Sequence, residues 1–445
     1  MIFSDYDQLI NNGATNTYKK KRRDILILIS TALETVDPYQ AVIHHIQNQR
    51  IIIENKTIPI HDFKNVYLIG FGKASVKMAT AVCDSIPIKS GAVITNDPLS
   101  IVMHPTITTY HGDHPIPSEK NIQATIELEK VLAHCTKDDL LLVCISGGGS
   151  ALLSDPLVSI KELKTTTKML LSSGATIHEI NTIRKHLSKV KGGQLLRKVP
   201  CQTISFIISD VVGDPLEFIA SGPTCGDSTT FADAYHILEH YQLLSTIPSS
   251  AKNIIEKGIS GDYKETPEPE DPMFQHVDNC IIANNSLACT AMYKKAKILG
   301  YHPFILTTEL TGEAREVGPK LLQTIQNQRQ QNDYDLFISG GETTVTVHGS
   351  GKGGRNQEMM LSMIKPIADT QFVCSSFATD GIDGMSTAAG AVCDGVSKKR
   401  SQEHSLDIEQ YLADNNSNAF FNQMKDLIIT GLTGTNVMDV QIIIP

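Results

Sequence analysis

The sequence predicts an α/β protein of two domains, each built on a largely parallel sheet with helices over both faces, and a ligand site in a cleft they share. Three observations carry this expectation. Short β-rich apolar runs alternate with longer amphipathic stretches, the pattern that places crossover helices between parallel strands. At 445 residues the chain suits two or three domains rather than one. The chain also brings an apolar run twice to the same Ile-Ser-Gly-Gly stop, in DLLLVCISGGGSALL (139–153) and YDLFISGGETTVTV (334–347). Ligands of open α/β sheets gather beyond the carboxyl ends of the strands, where both stops lie.

Taken in order, the strands fall at Val66–Ile69, Gly91–Thr95, Leu140–Ile145, Thr203–Ile208, Asn279–Ala283, Pro303–Thr307, Asp335–Ile338 and Phe372–Phe377. Helical periodicity marks Glu119–Ala133, Ile160–Ser172, Ser286–Leu299 and Arg315–Gln328 between them. One stretch breaks the alternation: GISGDYKETPEPEDPM (258–273) is polar and rich in Pro, Glu and Asp. It reads as a surface loop at a domain boundary. The expected domains are therefore residues 1–255 and 256–445, with the C-terminal tail a candidate to pack back on the first.

Composition narrows the function classes. The 41% apolar and 20% charged content is that of a globular protein, and a net charge of -9 disfavours nonspecific nucleic-acid binding. The basic run Lys19–Arg23 reads as a solvated segment just before the first helix. The apolar stretch Ile25–Ile29 behind it is too short for a secretory core or a membrane span, so no membrane partner and a cytoplasmic location are expected. Nine cysteines form no CxxC pair and read as reduced core thiols. His111 and His114 have a metal-like spacing, but their Pro-rich loop argues against ligand duty.

The chemistry concentrates at strand exits. Five of them carry glycine together with Lys, Ser, Asp or Glu: GFGKAS (70–75), SGGGS (146–150), SDVVGD (209–214), SGGET (339–343) and ATDGIDG (378–384). Glycine lets backbone N–H groups converge on an anion, and a helix starting behind the turn adds its positive dipole end. Ser146, Gly147, Gly148, Gly149 and Ser150 thus form a candidate nucleotide or phosphate cradle. The Walker A pattern fails at both Gly-Lys pairs, 72–73 and 351–352, and the dinucleotide GxGxxG fails at 70–75, where Ser75 stands in place of the third glycine, so a nucleotide is expected to be held by another arrangement. Lys73 sits at a helix start, where the dipole disfavours a cation, and calls for an anionic ligand. Arg355, at a helix entrance behind the flexible GSGKGG run, suits a planar fork for carboxylate or phosphoryl oxygens. Asp210 and Asp380 directly follow apolar strands, a costly place for an idle carboxylate. Asp214 and Asp383 read equally as ligands or as turn and cap residues.

Six stretches stand here in the order, and nearly the wording, of the class II glycerate kinases, the glycerate 2-kinases with a C-terminal MOFRL domain: GFGKAS, SGGGSALL, INTIRKHLSKVKGGQL, ISDVVGDPLEFIASGPT, SGGETTVTVHGSGKGGRNQE and ATDGIDG. The chain resembles that family from about Val66 to Val440. The resemblance implies two three-layer α/β/α domains, the first Rossmann-like and the second containing the MOFRL region, with the active site in the cleft between them. It implies transfer of the γ-phosphoryl group of ATP to the 2-hydroxyl of D-glycerate with Mg2+, giving 2-phosphoglycerate; a homodimer is the assembly considered. Catalysis then falls to Lys73, Asp210, Arg355 and Asp380. Lys73 and Arg355 take the phosphoryl group and the glycerate carboxylate in either order, and Asp210 or Asp380 orients magnesium or accepts the proton. Lys191, Glu342 and Asn356 are placed on the substrate, Asp214 and Asp383 on the metal. The family's TDGxDG stretch usually continues Pro-Thr-Asp, whereas Met385-Ser386-Thr387 stand here, and Leu432 replaces a usual proline. The competing expectations are a nicotinamide-dependent hydroxypyruvate reductase and a non-catalytic nucleotide- or sugar-acid-binding relative.

Overall fold

The computed structural model describes residues 2–54 and 56–445. Residues 38–282 form one unit, and residues 1–37 with 283–445 form the other. The first long helix, α1 (Asn16–Thr35), is therefore folded with the second half of the chain.

In the unit 38–282 six strands make one sheet: β1 (Val66–Phe71), β2 (Ser90–Thr95), β3 (Ile107–His111), β4 (Leu140–Ile145), β5 (Gln202–Ile208) and β6 (Val277–Ala283). Their order is β3-β2-β1-β4-β5-β6. β1 pairs in parallel with both β2 and β4, Tyr67 standing opposite Ser90 and Val66 opposite Leu140. β2–β3 and β4–β5 are parallel too. The chain winds outward one way from β1 and then the other way from β4, so the switch point of the sheet lies between these two strands. Every residue of β1 and β4 is buried, as expected of strands covered on both faces. The covering helices include α2 (Ser75–Ser85) and α3 (Glu119–Leu132). The short α4 (Gly149–Leu152) and α5 (Ile177–His186) follow. A second apolar cluster gathers Leu163, Leu170, Ile183, Phe231, Leu238 and Ile255 from the remaining helices. Three of these helices start at capping boxes written in the sequence, Ser159/Glu162, Thr176/Glu179 and Thr230/Asp233.

The second sheet comprises β7 (Pro303–Leu310), β8 (Leu336–Gly341), β9 (Val373–Ala378), β10 (Gly390–Asp394), β11 (Leu427–Ile428) and β12 (Asp439–Ile444), in the order β7-β8-β12-β9-β10-β11. Only β7 and β8 are parallel. The other four pairings are antiparallel, with Ile442 of β12 opposite both Ile338 and Ser375. This corrects the expectation of a largely parallel second sheet. An apolar run shows that a strand is buried, not which way it runs. The link 379–389 between β9 and β10 is also too short for a crossover helix.

Three further expectations change. The boundary drawn at 255/256 falls inside the helix Ser249–Ile259. The polar segment behind it is a largely exposed surface loop, as expected, and is tied to its unit: its Pro267 carbonyl accepts the Asp227 N–H at 2.8 Å, and its Glu265 carboxylate accepts the Phe231 N–H at 2.9 Å. The C-terminal tail supplies β12, in the middle of the second sheet, instead of packing on the first domain. Nor does the basic run precede the first long helix: Lys20 and Arg23 are exposed as expected, but the run is helical and Arg22 is buried. Residues 19–23 lie within α1, and helical spacing puts Arg22 on the face that buries Tyr18, Ile25, Leu26 and Ile29. Arg22 is fully buried there, its guanidinium 2.6–2.7 Å from Asp394 and 2.7 Å from Asp426. All nine cysteines are free, seven of them buried. Among the described residues no helix is long and apolar enough to cross a membrane.

Candidate active site

The site of unit 38–282 stands at the switch point, where backbone ends converge. β1 exits through Gly72 and Lys73, β4 through Ser146–Ser150, β5 through Ser209 and Asp210. The first two exits are stitched together. Lys73 donates its N–H to the Gly147 carbonyl at 2.9 Å, and Ala74 donates to Ser146 Oγ at 3.0 Å. The Lys73 side chain is left exposed while its neighbours Gly72, Ala74 and Ser75 are buried.

All three cradle glycines are crowded, and a Cβ on Gly149 would come within 2.7 Å of Ala220 Cβ. Gly148 has φ +84°, a left-handed conformation that resists any side chain. A Cβ on Gly147 would come within 2.2 Å of Asp210 Oδ2. Asp210 thus lies directly against the cradle, and Lys73, the glycine run and Asp210 are brought together as the sequence suggested. Asp214, four residues on, occupies a left-handed turn position at φ +55°. Ser150 Oγ is 2.8 Å from Ser221 Oγ, which sits in a run of positive φ at Ala220, Ser221 and Gly222. Such conformations cost energy and persist where their surroundings over-determine them. Here Gly192 and Gly193 donate to the Ser221 and Gly222 carbonyls at 3.0 and 2.7 Å.

The basic residues of INTIRKHLSKVKGGQL divide between surface and interior: Lys189 is exposed, while others are enclosed. Lys185 is buried, 2.5 Å from Asp227 and 3.4 Å from Glu217. Lys191, placed on the substrate by the resemblance, is 3% exposed and donates to the Ser150 and Leu153 carbonyls at 2.6 and 2.9 Å. Burial, reinforced by the Arg184 charge, pushes its ammonium well below the usual lysine range. It anchors the carbonyls of α4 from beneath the cradle.

In the other unit, SGGE ends β8 and ATDG follows β9, while α6 (Asn285–Ile298) packs on this sheet and α7 (Arg355–Met363) starts with Arg355. The Arg355 fork is engaged by protein. Nε and Nη2 reach the Asp439 carboxylate at 2.5 and 2.9 Å, and Nη1 reaches Glu342 at 2.8 Å. Burial opposes the charge of Arg355, but Asp439 and Glu342 hold its pKa above the ordinary arginine value. Burial likewise raises the Asp439 carboxyl, with Arg355 pulling the other way. Asn356 and Asp383 are each 1% exposed. Asp383 accepts the N–H groups of Asn356 and Gln357 at 3.0 and 2.9 Å, and both of their side-chain amides at 3.2 and 2.8 Å. Burial lifts its carboxyl to about 6 against the pull of the backbone donors. Asn356 also receives the Ser376 hydroxyl at 2.5 Å. Asp380 is half-buried and accepts the Ile382 N–H at 3.0 Å. Thr387, the position of the missing acid, is exposed, as is Leu432.

Two residues of these sites escaped the sequence reading. Asp439 could have been found by the argument that singled out Asp210 and Asp380, since it borders the apolar QIII run of β12 and a buried carboxylate demands a partner. His114 stands out in the sequence for its metal-like spacing with His111 and is set aside there for its Pro-rich loop, which gives no hint that the imidazole reaches the cradle.

Residues 24–256 match the domain of unknown function DUF4147, and residues 335–439 match the MOFRL family. Over 428 residues, 94% of this chain and 96% of the relative, the sequence is 41% identical to a glycerate 2-kinase of Pyrococcus horikoshii. The chain belongs to the glycerate kinase family. A D-glycerate 2-kinase of Thermotoga maritima is 36% identical over 93% of this chain and 95% of its own, and a mouse glycerate kinase is 35% identical over 89% and 87%. Among solved structures, the Thermotoga maritima glycerate kinase superposes with a TM-score of 0.85 at 34% identity, covering 95% of this chain and 98% of that one. A Pyrococcus horikoshii protein gives 0.84 at 40% identity with the same coverage. As a glycerate kinase family member, the chain carries its glycine-rich cradle within the DUF4147 match and Arg355 and Asp439 within the MOFRL match.

Proposed function

We propose that this chain is a glycerate 2-kinase, transferring the γ-phosphoryl group of ATP to the 2-hydroxyl of D-glycerate to give 2-phosphoglycerate and ADP. The observation that carries the reading is the strand-end constellation of Lys73, the 146–150 glycine run and Asp210, in a chain 41% identical to a glycerate 2-kinase over 94% of its length. Phosphoryl transfer demands positioning and charge compensation more than covalent chemistry from the protein. The exposed Lys73 ammonium and the cradle N–H groups supply positive charge, and Asp210 the adjacent carboxylate. Arg355, aimed by Asp439 and Glu342, supplies a second cation.

Roles within the constellation divide by burial. Lys73, Asp210, Asp380 and Arg355 act on the ligands. Lys191, Asn356 and Asp383, enclosed by protein donors and acceptors, act as positioning residues. Among the described residues no three His, Cys, Asp or Glu side chains group as a metal cage. The Asp210 carboxylate against the glycine run suits Mg2+, which keeps several waters and binds through one or two carboxylates and the substrate's phosphates; Asp210 is the residue to hold it. When bound, the ion offsets charge on the phosphoryl oxygens.

The test is NMR of the product formed from ATP and D-glycerate. A single phosphomonoester on the 2-oxygen is the expected product. Phosphate on the 3-oxygen would overturn the regiochemistry, and NADH-dependent reduction of hydroxypyruvate without ATP turnover would overturn the reading.

A further inference from the structure

His114 stands over the cradle. A Cβ built on Gly148 would lie 3.1 Å from His114 Cδ2, 3.2 Å from its Nε2 and 3.3 Å from Lys73 Cγ. The Nε2 edge of the ring and the lysine stem therefore border one spot above the glycine. The ring is half-buried, yet no protein group among the described residues hydrogen-bonds to either of its nitrogens. Other histidines of the chain do find partners: His45 meets the Ala41 carbonyl at 2.8 Å, and His186 the Thr182 carbonyl at 2.8 Å. A half-buried imidazole whose nitrogens the protein leaves unused, set beside a cation and a glycine run, is placed for a ligand.

The surrounding groups say which part of a ligand. Around the cradle, Lys73 and the backbone N–H groups only donate, the Asp210 carboxylate only accepts, and the Ser146 and Ser150 hydroxyls are engaged by the Ala74 N–H at 3.0 Å and by Ser221 Oγ at 2.8 Å. A neutral imidazole can do both, and so can an alcohol. Burial, then the Lys73 charge, lowers the His114 pKa and favours that neutral form. We propose that His114 is a specificity-determining residue of this site, hydrogen-bonding through Nε2 to a hydroxyl group of the hydroxy-acid acceptor held beside Lys73. The proposal rests on the glycerate kinase reading above and adds to it the group that recognises the acceptor's alcohol. Phosphate oxygens are left to the N–H groups and Lys73.

The test uses the full-length protein with His114→Ala and His114→Gln. In steady-state kinetics, His114→Ala lowers kcat/KM for D-glycerate by about tenfold or more, the scale of one lost hydrogen bond to a ligand, and leaves KM for ATP unchanged. His114→Gln, which keeps a donor and an acceptor near the Nε2 position, recovers part of the loss. A merely structural histidine would move both substrates' constants and the melting temperature, with no recovery in Gln. Histidine-selective NMR gives a readout independent of turnover. D-Glycerate alone shifts the His114 ring signal, assigned by its absence in His114→Gln, while Mg·ATP alone leaves it in place. A shift with Mg·ATP only, no shift with either, or unchanged kcat/KM for D-glycerate in His114→Ala overturns the proposal. If the wild type binds D-glycerate at His114 without phosphorylating it, the kinase reading fails while this inference stands.

Discussion

Replacing Arg22 with methionine tests how the chain's first long helix is joined to its last 160 residues or so. Arg22 Nε and Nη2 contact Asp394 at 2.6–2.7 Å, and Nη1 contacts Asp426 and the Leu9 carbonyl at 2.7 and 2.9 Å. Methionine roughly fills the space but removes the charge. Asp426 keeps Arg400 Nη1 at 2.7 Å and the Asn12 amide at 2.9 Å. Asp394 keeps only neutral donors, the Val396 N–H at 3.1 Å and the Ser397 hydroxyl at 3.3 Å. Breaking a buried pair by deleting one partner costs about 3–5 kcal/mol. For a unit of some 200 residues that is a fall in melting temperature of about 6–20 °C. Calorimetry or circular dichroism reads it, and limited proteolysis should show cleavage moving into residues 16–35. Combining Arg22→Met with Asp394→Asn removes the stranded charge and should restore at least half of the loss, Asp426 staying paired with Arg400. A single Arg22→Met variant melting within 2 °C of wild type would refute the view that this triad holds α1 in its unit.

Two other outcomes are expected. Lys73→Ala and Arg355→Ala should each lower turnover by about a hundredfold or more, the effect of losing one charge-stabilising group; wild-type rates in both would show that the ligands are held elsewhere. Lys191→Met should cost about 2–4 kcal/mol in stability because the Ser150 and Leu153 carbonyls lose their buried donor. It should lower kcat/KM as well, and an unchanged urea midpoint would argue against Lys191 as the anchor of the cradle.

The alternation of apolar runs and amphipathic stretches determined the α/β class and located eight strands, because burial on two faces writes itself into local composition. Glycine with Lys, Ser or Asp behind those runs located Lys73, the 146–150 cradle and Asp210, and the helix entrance at Arg355 was visible from the GKGG run before it. These features depend on neighbours a few residues away. Tertiary structure decided what depends on distant ones. The direction of β12 follows from its insertion between β8 and β9, which an apolar run cannot encode. Arg22 meets Asp394 372 residues later, so one residue of a run that looks solvated throughout is the buried anchor of α1. Arg355 finds Asp439 at a separation of 84 residues, Lys191 closes on carbonyls 41 and 38 residues earlier, and His114 reaches Gly148 from a loop with no motif of its own. A charged side chain announces that it needs a partner; only the folded chain says which one, since the partner is chosen by the packing of elements whose apolar faces are interchangeable in sequence.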